Sequence, residues 1–454
     1  MTAPSFDADV LILGAGAAGL AAARDLSHAG LRVIVVEGRD RLGGRILTVH
    51  DPRAPVPLEL GAEFVHGVAP ATFAVAAAAR LMVVELPDTH EVASRGRLRL
   101  LPDFWQTLEA MHRDVARRVS RRRGDFPVSE YLRSASMPAQ RRALLQDFVE
   151  GYHAAHPERL SARAFAAAAA EAGDPAARRQ FRIASGGDAL VQWLRDGLDP
   201  ERSEVRLSTI AEVLEWRRGA VRLAARTALG HGTAPLAARV AVVTLPHAVL
   251  RAGALRFVPA LAAKQRALDR LETGQIFKIV LRFRRAFWQD DAFLRARRGA
   301  RGRRAAGTSA ALHFLHAPGA ALPTWWTALP AQAPVLTGWV GGAKAEALLA
   351  REPDVRLHQA LTALAVALGV SRSLVERELD AWVSHDWRSD VFSRGAYTYP
   401  AVGGAAAPRA LARPVEQTIF FAGEATDGDQ IGTVAGALDS GHRAAREAAY
   451  VLRH

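Results

Sequence analysis

Residues 10–13, Val-Leu-Ile-Leu, run directly into Gly14-Ala15-Gly16-Ala17-Ala18-Gly19, and no other stretch limits the possible folds as sharply. A short apolar run, then Gly-x-Gly-x-x-Gly, then an Ala-rich stretch over 15–28 predict a strand, a tight turn and a helix. Gly14 permits the turn, Gly16 lets the backbone approach a pyrophosphate, and Gly19 lets the helix lie close on the strand. The helix start, with Ala17 and Ala18, offers unpaired N–H groups and roughly half a positive charge to phosphates. A second strand over 31–36 leads to Glu37, whose carboxylate is placed to accept hydrogen bonds from the hydroxyls of an adenosine ribose. That carboxylate also repels a 2′-phosphate, which disfavours NADP.

The next residues select the dinucleotide. Gly38-Arg39-Asp40-Arg41-Leu42-Gly43-Gly44-Arg45 follow at once. A second glycine pair with arginine can close over the pyrophosphate and neutralise it, which NAD dehydrogenases do not usually provide. With these residues the chain resembles the flavin-containing amine oxidase family. The likeness continues through Gly61-Ala62-Glu63-Phe64-Val65-His66-Gly67, similar to the segment beneath the flavin in polyamine and spermine oxidases. It extends through Ser185-Gly186-Gly187, Val243-Thr244-Leu245-Pro246, Phe277-Lys278-Ile279 with Phe287-Trp288, and Trp387 with Gly395-Ala396-Tyr397-Thr398-Tyr399. It ends with Phe421-Ala422-Gly423-Glu424 and Gly432-Thr433-Val434-Ala435-Gly436-Ala437.

The resemblance implies an α/β fold: a Rossmann-type FAD-binding domain interleaved with an α+β substrate domain. The expected partition is 1–80, 185–280 and 394–454 for FAD and 81–184 and 281–393 for substrate. It implies hydride transfer from the carbon next to an amine nitrogen to flavin N5, an imine that hydrolyses, and dioxygen reduced to peroxide. A polyamine or related amine is the expected substrate. By the same resemblance Lys278 holds a water near N5, Tyr397 lines the flavin face, His66 stands in the substrate channel, and Glu424 contacts the ribityl–phosphate portion. Glu63 is read as flavin-side or structural and not as a base. Where monoamine oxidases carry the cysteine that bonds the flavin, this chain has Ala396, so non-covalent FAD is expected. Thr433 stands where those enzymes carry a second tyrosine, as in spermine oxidases and lysine-specific histone demethylases. An L-amino-acid oxidase or another flavin desaturase would share the same fold.

Composition narrows the rest. The 454 residues suit more than one domain and contain no cysteine, which removes disulfides, thiolate metal sites and a cysteinyl flavin. No metal site is expected. The N-terminal residues lack the basic and apolar regions of a signal peptide, and no run reaches the ~20 apolar residues of a membrane helix, so a cytoplasmic, membrane-free protein is expected. The net charge of +13 is mostly arginine. Its densest run, 295–304, alternates arginine with Gly and Ala, has no aromatic, and reads as a solvated loop rather than a nucleic-acid contact. A flavoprotein that mainly binds nucleic acid or a protein through that run is the reading from a different class. Residues 80–182 read as mostly helical, 205–214, 220–225, 239–244, 276–283 and 418–422 as strands, and 357–368 and 436–452 as helices.

Overall fold

A computed structural model describes residues 6–168, 175–298 and 311–454. Strand β1 (Ala8–Leu13) is buried except at Asp9 and lies between two parallel neighbours, β2 (Val33–Val36) and Leu236–Val243. Burial on both faces accounts for the unbroken apolar run. Helix α1 (Ala17–His28) follows the turn at Gly14, where φ is +108°, a conformation open to glycine and strained for other residues. A Cβ on Gly19 would sit 1.9 Å from the Gly14 carbonyl oxygen, so the close seating of helix on turn requires glycine there. The full order is Ser203–Arg206, β2, β1, Leu236–Val243, Ala220–Thr227, Thr209–Arg217 and Arg256–Val258. Ile419–Phe421 adds in parallel to Leu236–Val243. The last helix, Val434–Arg453, then packs on α1, where a Cβ on Gly441 would come within 2.4 Å of the Ala18 carbonyl oxygen. The nucleotide-type unit is therefore opened at one end of the chain and completed at the other.

A second sheet of seven strands has Ile276–Phe283 next to one edge, with all eight of its residues buried. That strand pairs antiparallel with Val335–Gly341 on one side and Leu379–Ser384 on the other. Continuous hydrogen bonding places it wholly in this sheet, so a division at 280 would cut through it. The sheet continues through Thr324–Thr327, Phe314–His316, His90–Ser94 and Arg97–Leu100. Helix Ala139–Tyr152 packs on it at Val335–Gly341 and shares an apolar cluster with Phe104–Ser120 through Leu108, Met111, Leu145 and Val149.

Three local expectations change. The segment 80–182 begins with strands, Val83–Glu85, His90–Ser94 and Arg97–Leu100, before its helices start at Phe104. The first two find partners in remote segments, Gln180–Ile183 and Phe314–His316, which local periodicity does not register, and the third closes a local hairpin on His90–Ser94. Residues 205–214 are two strands, split where Ser208 adopts φ +50° and its N–H donates to the Arg39 carbonyl. In the arginine run, Arg295, Arg297 and Arg298 close the helix Asp291–Arg298, and the remainder lies outside the described residues. Arg298 is no solvated charge, since its Nε donates to the fully buried Glu91 at 3.0 Å. Among the described residues no helix is long and apolar enough to cross a membrane.

Candidate active site

One cavity of about 680 Å³ runs between the two sheets and takes in nearly every residue singled out in the sequence. At one end the α1 N-terminus meets Gly43 and Gly44. A Cβ on Gly16 would touch no protein atom and would enter the cavity, and one on Gly44 would meet only Gly16 Cα at 3.6 Å. Two bare backbone segments thus face each other across space a pyrophosphate can occupy. The N-terminus of the long last helix, at Val434 and Ala435, lines the same cavity. Glu37 is buried at the end of β2, where its two oxygens accept from Ala15 N–H at 2.9 Å and Arg39 N–H at 3.0 Å. These residues fit a dinucleotide whose ribose meets Glu37.

The middle of the cavity is floored by Gly61, Ala62, Glu63 and Phe64 and walled by Lys278. Lys278 is 2% exposed; its Nζ donates to Glu63 Oε2 at 2.6 Å and to the Gly61 carbonyl at 3.1 Å. Glu63 is further held by Arg182 at 2.6 Å and Trp326 Nε1 at 3.0 Å. Burial pushes the Glu63 carboxyl up, but Lys278 and Arg182 outweigh it and hold it down at about 2. Glu63 is a permanent counter-ion and no base. Just behind it, burial raises Glu59 to about 7, despite hydrogen bonds from Gly187 N and Thr48 Oγ1.

Beyond this floor the walls become aromatic. Tyr152 and Phe148 stack at 5.0 Å, His66 meets Tyr152 edge-on at 5.3 Å, and Trp326 lies 5.2 Å from Phe64 and 6.0 Å from Trp339. Burial alone lowers His66 to about 4, leaving a neutral ring at neutral pH. Tyr397 donates its hydroxyl to the carbonyls of Gly151 and Tyr152, at 3.2 and 2.8 Å, and burial holds its phenol well above the usual range. Trp387 is fixed by its indole N–H to the Leu60 carbonyl at 3.0 Å.

Some expected contacts are otherwise engaged. Gly19 is off the cavity wall and serves packing alone. Arg39 forks onto Asp390, both oxygens at 2.9 Å, and onto Ser393 Oγ at 2.7 Å, so it clasps the 386–394 loop. Arg45 bonds Glu424 Oε1 at 2.8 Å. Glu424 also accepts from Thr398 Oγ1, Thr398 N and Gly432 N, at 2.8, 3.3 and 3.1 Å. Its acceptor positions are filled by protein donors, so it organises three segments around Gly423 rather than offering an open carboxylate. Thr433 is the N-cap of the last helix: its hydroxyl accepts from Gly436 N at 2.9 Å and donates to the Gln430 carbonyl at 2.7 Å. Phe287 and Trp288 lie in the second apolar core, away from the cavity. Asp390, Arg182 and Trp326 were not anticipated, because each finds its partner across 119 residues or more. Among the described residues no metal-binding cluster occurs.

Comparison with known proteins agrees with this geometry. A family profile described as flavin containing amine oxidoreductase matches residues 17–449. Polyamine oxidase 2 of Arabidopsis thaliana is 26% identical, covering 96% of this chain and 87% of its own length. Lysine-specific histone demethylase 1B of Mus musculus is 25% identical over 97% of this chain, which spans 52% of that longer protein. In fold, the chain is similar to putrescine oxidase bound to putrescine, with a TM-score of 0.79, 21% identity and 98% and 99% coverage of the two chains. It is equally similar to cyclohexylamine oxidase from Brevibacterium oxydans IH-35A, at 0.79, 21%, 99% and 100%.

Proposed function

Since the chain belongs to the flavin containing amine oxidoreductases, we propose that it oxidises an amine at the carbon bearing the nitrogen, with non-covalent FAD as acceptor and dioxygen reduced to peroxide. When bound, FAD supplies the two-electron acceptor. The chain's own residues do the rest. Gly16, Gly44 and the α1 N-terminus cradle the pyrophosphate, and Glu37 meets the adenosine ribose. Lys278, paired with Glu63, offers a donor that can hold a water at the redox end of the cavity. The aromatic walls orient the amine and exclude bulk water. The overall reaction balances as amine, dioxygen and water giving carbonyl compound, released amine or ammonia, and hydrogen peroxide.

The single observation that carries this reading is that a dinucleotide cradle and a buried Lys278–Glu63 pair share one aromatic-walled cavity. The same cavity also speaks to the substrate. Among the described residues its carboxylates are Glu37, Glu63, Glu109, Asp147, Glu424 and Asp429, and each already faces an arginine or lysine of the chain. A second ammonium would find no buried acid uncommitted, only Asp429 in an exposed pair with Arg409, whereas an apolar body finds stacked rings. This favours an amine with one charged end and an apolar remainder over the di- and polyamines expected from the motifs.

The test is to supply purified protein with benzylamine, cyclohexylamine, putrescine and spermidine and to follow peroxide. The two apolar amines should be turned over with the higher kcat/KM. Better turnover of putrescine or spermidine would overturn the substrate assignment, and failure of every amine to reduce the flavin would overturn the reaction. Acid precipitation should release all yellow colour as FAD; colour kept by the washed pellet would overturn non-covalent binding.

A further inference from the structure

Away from the cradle, the strands His90–Ser94 and Phe314–His316 run parallel and set two histidines into the cavity wall. His90 Nδ1 lies 2.9 Å from His316 Nε2, and His90 Nε2 lies 3.1 Å from Asp88 Oδ1. Trp105 Nε1–H fixes the same Asp88 oxygen from 2.7 Å. Phe104 stacks on both imidazoles, at 4.0 Å from His90 and 4.8 Å from His316, and Phe314 stacks on His90 at 4.8 Å. The rings are held in register by these contacts.

The network dictates the tautomers. An ionised carboxylate only accepts, so His90 carries its hydrogen on Nε2 and presents a lone pair at Nδ1. His316 must then donate from Nε2, which leaves its Nδ1 lone pair without a protein partner among the described residues. At the other end the Asp88 side chain is 57% exposed. The chain of bonds therefore begins at an open acceptor in the wall of the cavity and ends in solvent. Nothing in the adenosine or pyrophosphate region uses it.

We propose that His316, His90 and Asp88 form a relay that carries the proton of an arriving ammonium out of the cavity to bulk water. The inference rests on the amine-oxidation reading of the same cavity. An ammonium has no lone pair to assist the departure of hydride from its carbon, so it must lose one proton before reacting. His316 Nδ1 takes that proton, His316 Nε2 passes its own to His90 Nδ1, and His90 Nε2 passes its own to Asp88 and water. One proton enters the chain and one leaves, and both imidazoles end as the opposite tautomer. Reduction of dioxygen to peroxide consumes the hydride's atoms plus one further proton, so an inward transfer along the same chain restores both rings.

The surroundings suit transit rather than storage. Burial pushes His316 far below the ordinary histidine range, with His90 adding to it, and burial also lowers His90 against the opposing pull of Asp88. Neighbouring charges are neutralised: Glu109 by Arg178, Asp147 by Lys344, and Glu91, next to His90, by Arg298. His112, on the same helix as Phe104, is itself lowered to about 4 by burial.

Anaerobic stopped-flow reduction of the FAD holoenzyme by benzylamine tests the relay at pH 7 and again above the pKa of benzylamine. His90→Phe preserves the ring stack and should slow reduction on the order of a hundredfold at pH 7, the low end for a positioned acid–base group. At the higher pH the amine arrives neutral, and the variant should match the parent. Asp88→Asn, at an exposed position, should show the same pattern with a smaller loss. An equal loss at both pH values, or no loss at pH 7 in either variant, would overturn the relay. If benzylamine and every other amine fail to reduce the parent flavin, the amine reading itself falls and the relay with it.

Discussion

At the scale of single residues, Lys278 and Glu63 show how a rate and a stability can be separated. Both are buried, and their 2.6 Å contact is backed by Arg182 on the far side of the carboxylate. Breaking a buried pair by removing one partner costs about 3–5 kcal/mol, because a desolvated charge is left uncompensated. Arg182 softens this, so Lys278→Met should lose about 3 kcal/mol, the low end of that range. Changing Glu63→Gln as well takes the carboxylate from Arg182, so the double variant should regain at most part of the loss in a denaturant titration. Reoxidation or reduction of the flavin should slow roughly tenfold, about 1.4 kcal/mol of barrier, in both variants alike. A rate that recovers together with stability would make Lys278 a structural residue. The pH signature has a definite sign: Glu63 is held at about 2, so its contribution is present above the ordinary 4.5 and is lost as pH falls through 2. Without Lys278 the folded value rises, so that loss should be smaller and should finish at higher pH.

Whole elements explain what sequence reading reached and what it missed. The run 8–28 carries its fold in local chemistry: an apolar strand, a glycine turn and small residues where backbone meets backbone. Strand Ile276–Phe283 was legible for the same reason, with every position apolar except Lys278 and Arg282, which find carboxylates in Glu63 and Asp380. The strand Val83–Glu85 was not, because its partner lies about 100 residues away, and His90–Ser94, though hairpinned to Arg97–Leu100, joins the sheet through a strand about 220 residues on. Nor could Thr433 be told from a catalytic group, since its capping bond to Gly436 N depends on where the last helix starts. That helix joins the two ends of the nucleotide unit where Gly441 meets the Ala18 carbonyl. Gly441→Ala places a Cβ 2.4 Å from that oxygen and should cost about 1–3 kcal/mol, as overpacking does. The shifted α1 should also bind flavin more weakly, so thermal shift and FAD occupancy should fall together. A lower melting temperature with full flavin affinity would mean the two helices move as one body and leave the cradle intact.

The molecule as a whole buries an unusual set of neutral imidazoles, and this sets its response to acid. Burial lowers His66 and His112 to about 4 and His153 and His313 to about 3, with His112 adding to the shift at His153 and Arg182 to that at His313; it also pushes His316 well below the ordinary range. Between their folded values and the ordinary 6.5, the unfolded chain holds these protons and the folded chain does not. Stability therefore rises with pH across that window and is lost on acidification, by about 1.4 kcal/mol per pH unit for each proton taken up. Glu59 acts in the opposite sense, since burial raises it to about 7 and the folded state keeps a proton that the unfolded state releases above 4.5. Burial also raises Asp147 and Glu150, in the same direction as Glu59. Burial lowers His90 and His247 as well and raises Asp439, so seven histidines stand against four carboxyls near pH 5.5, where the unfolded imidazoles are almost fully charged. The melting temperature should fall as pH is lowered from 6.5 to 5, and calorimetry in two buffers of different ionisation enthalpy should show net proton uptake on unfolding. A melting temperature that stays level or rises over that interval would mean that the cavity admits protons to these rings in the folded state. In that case the wall around His66 and His316 is wetter than its burial implies, and an ammonium could lose its proton to water without His316.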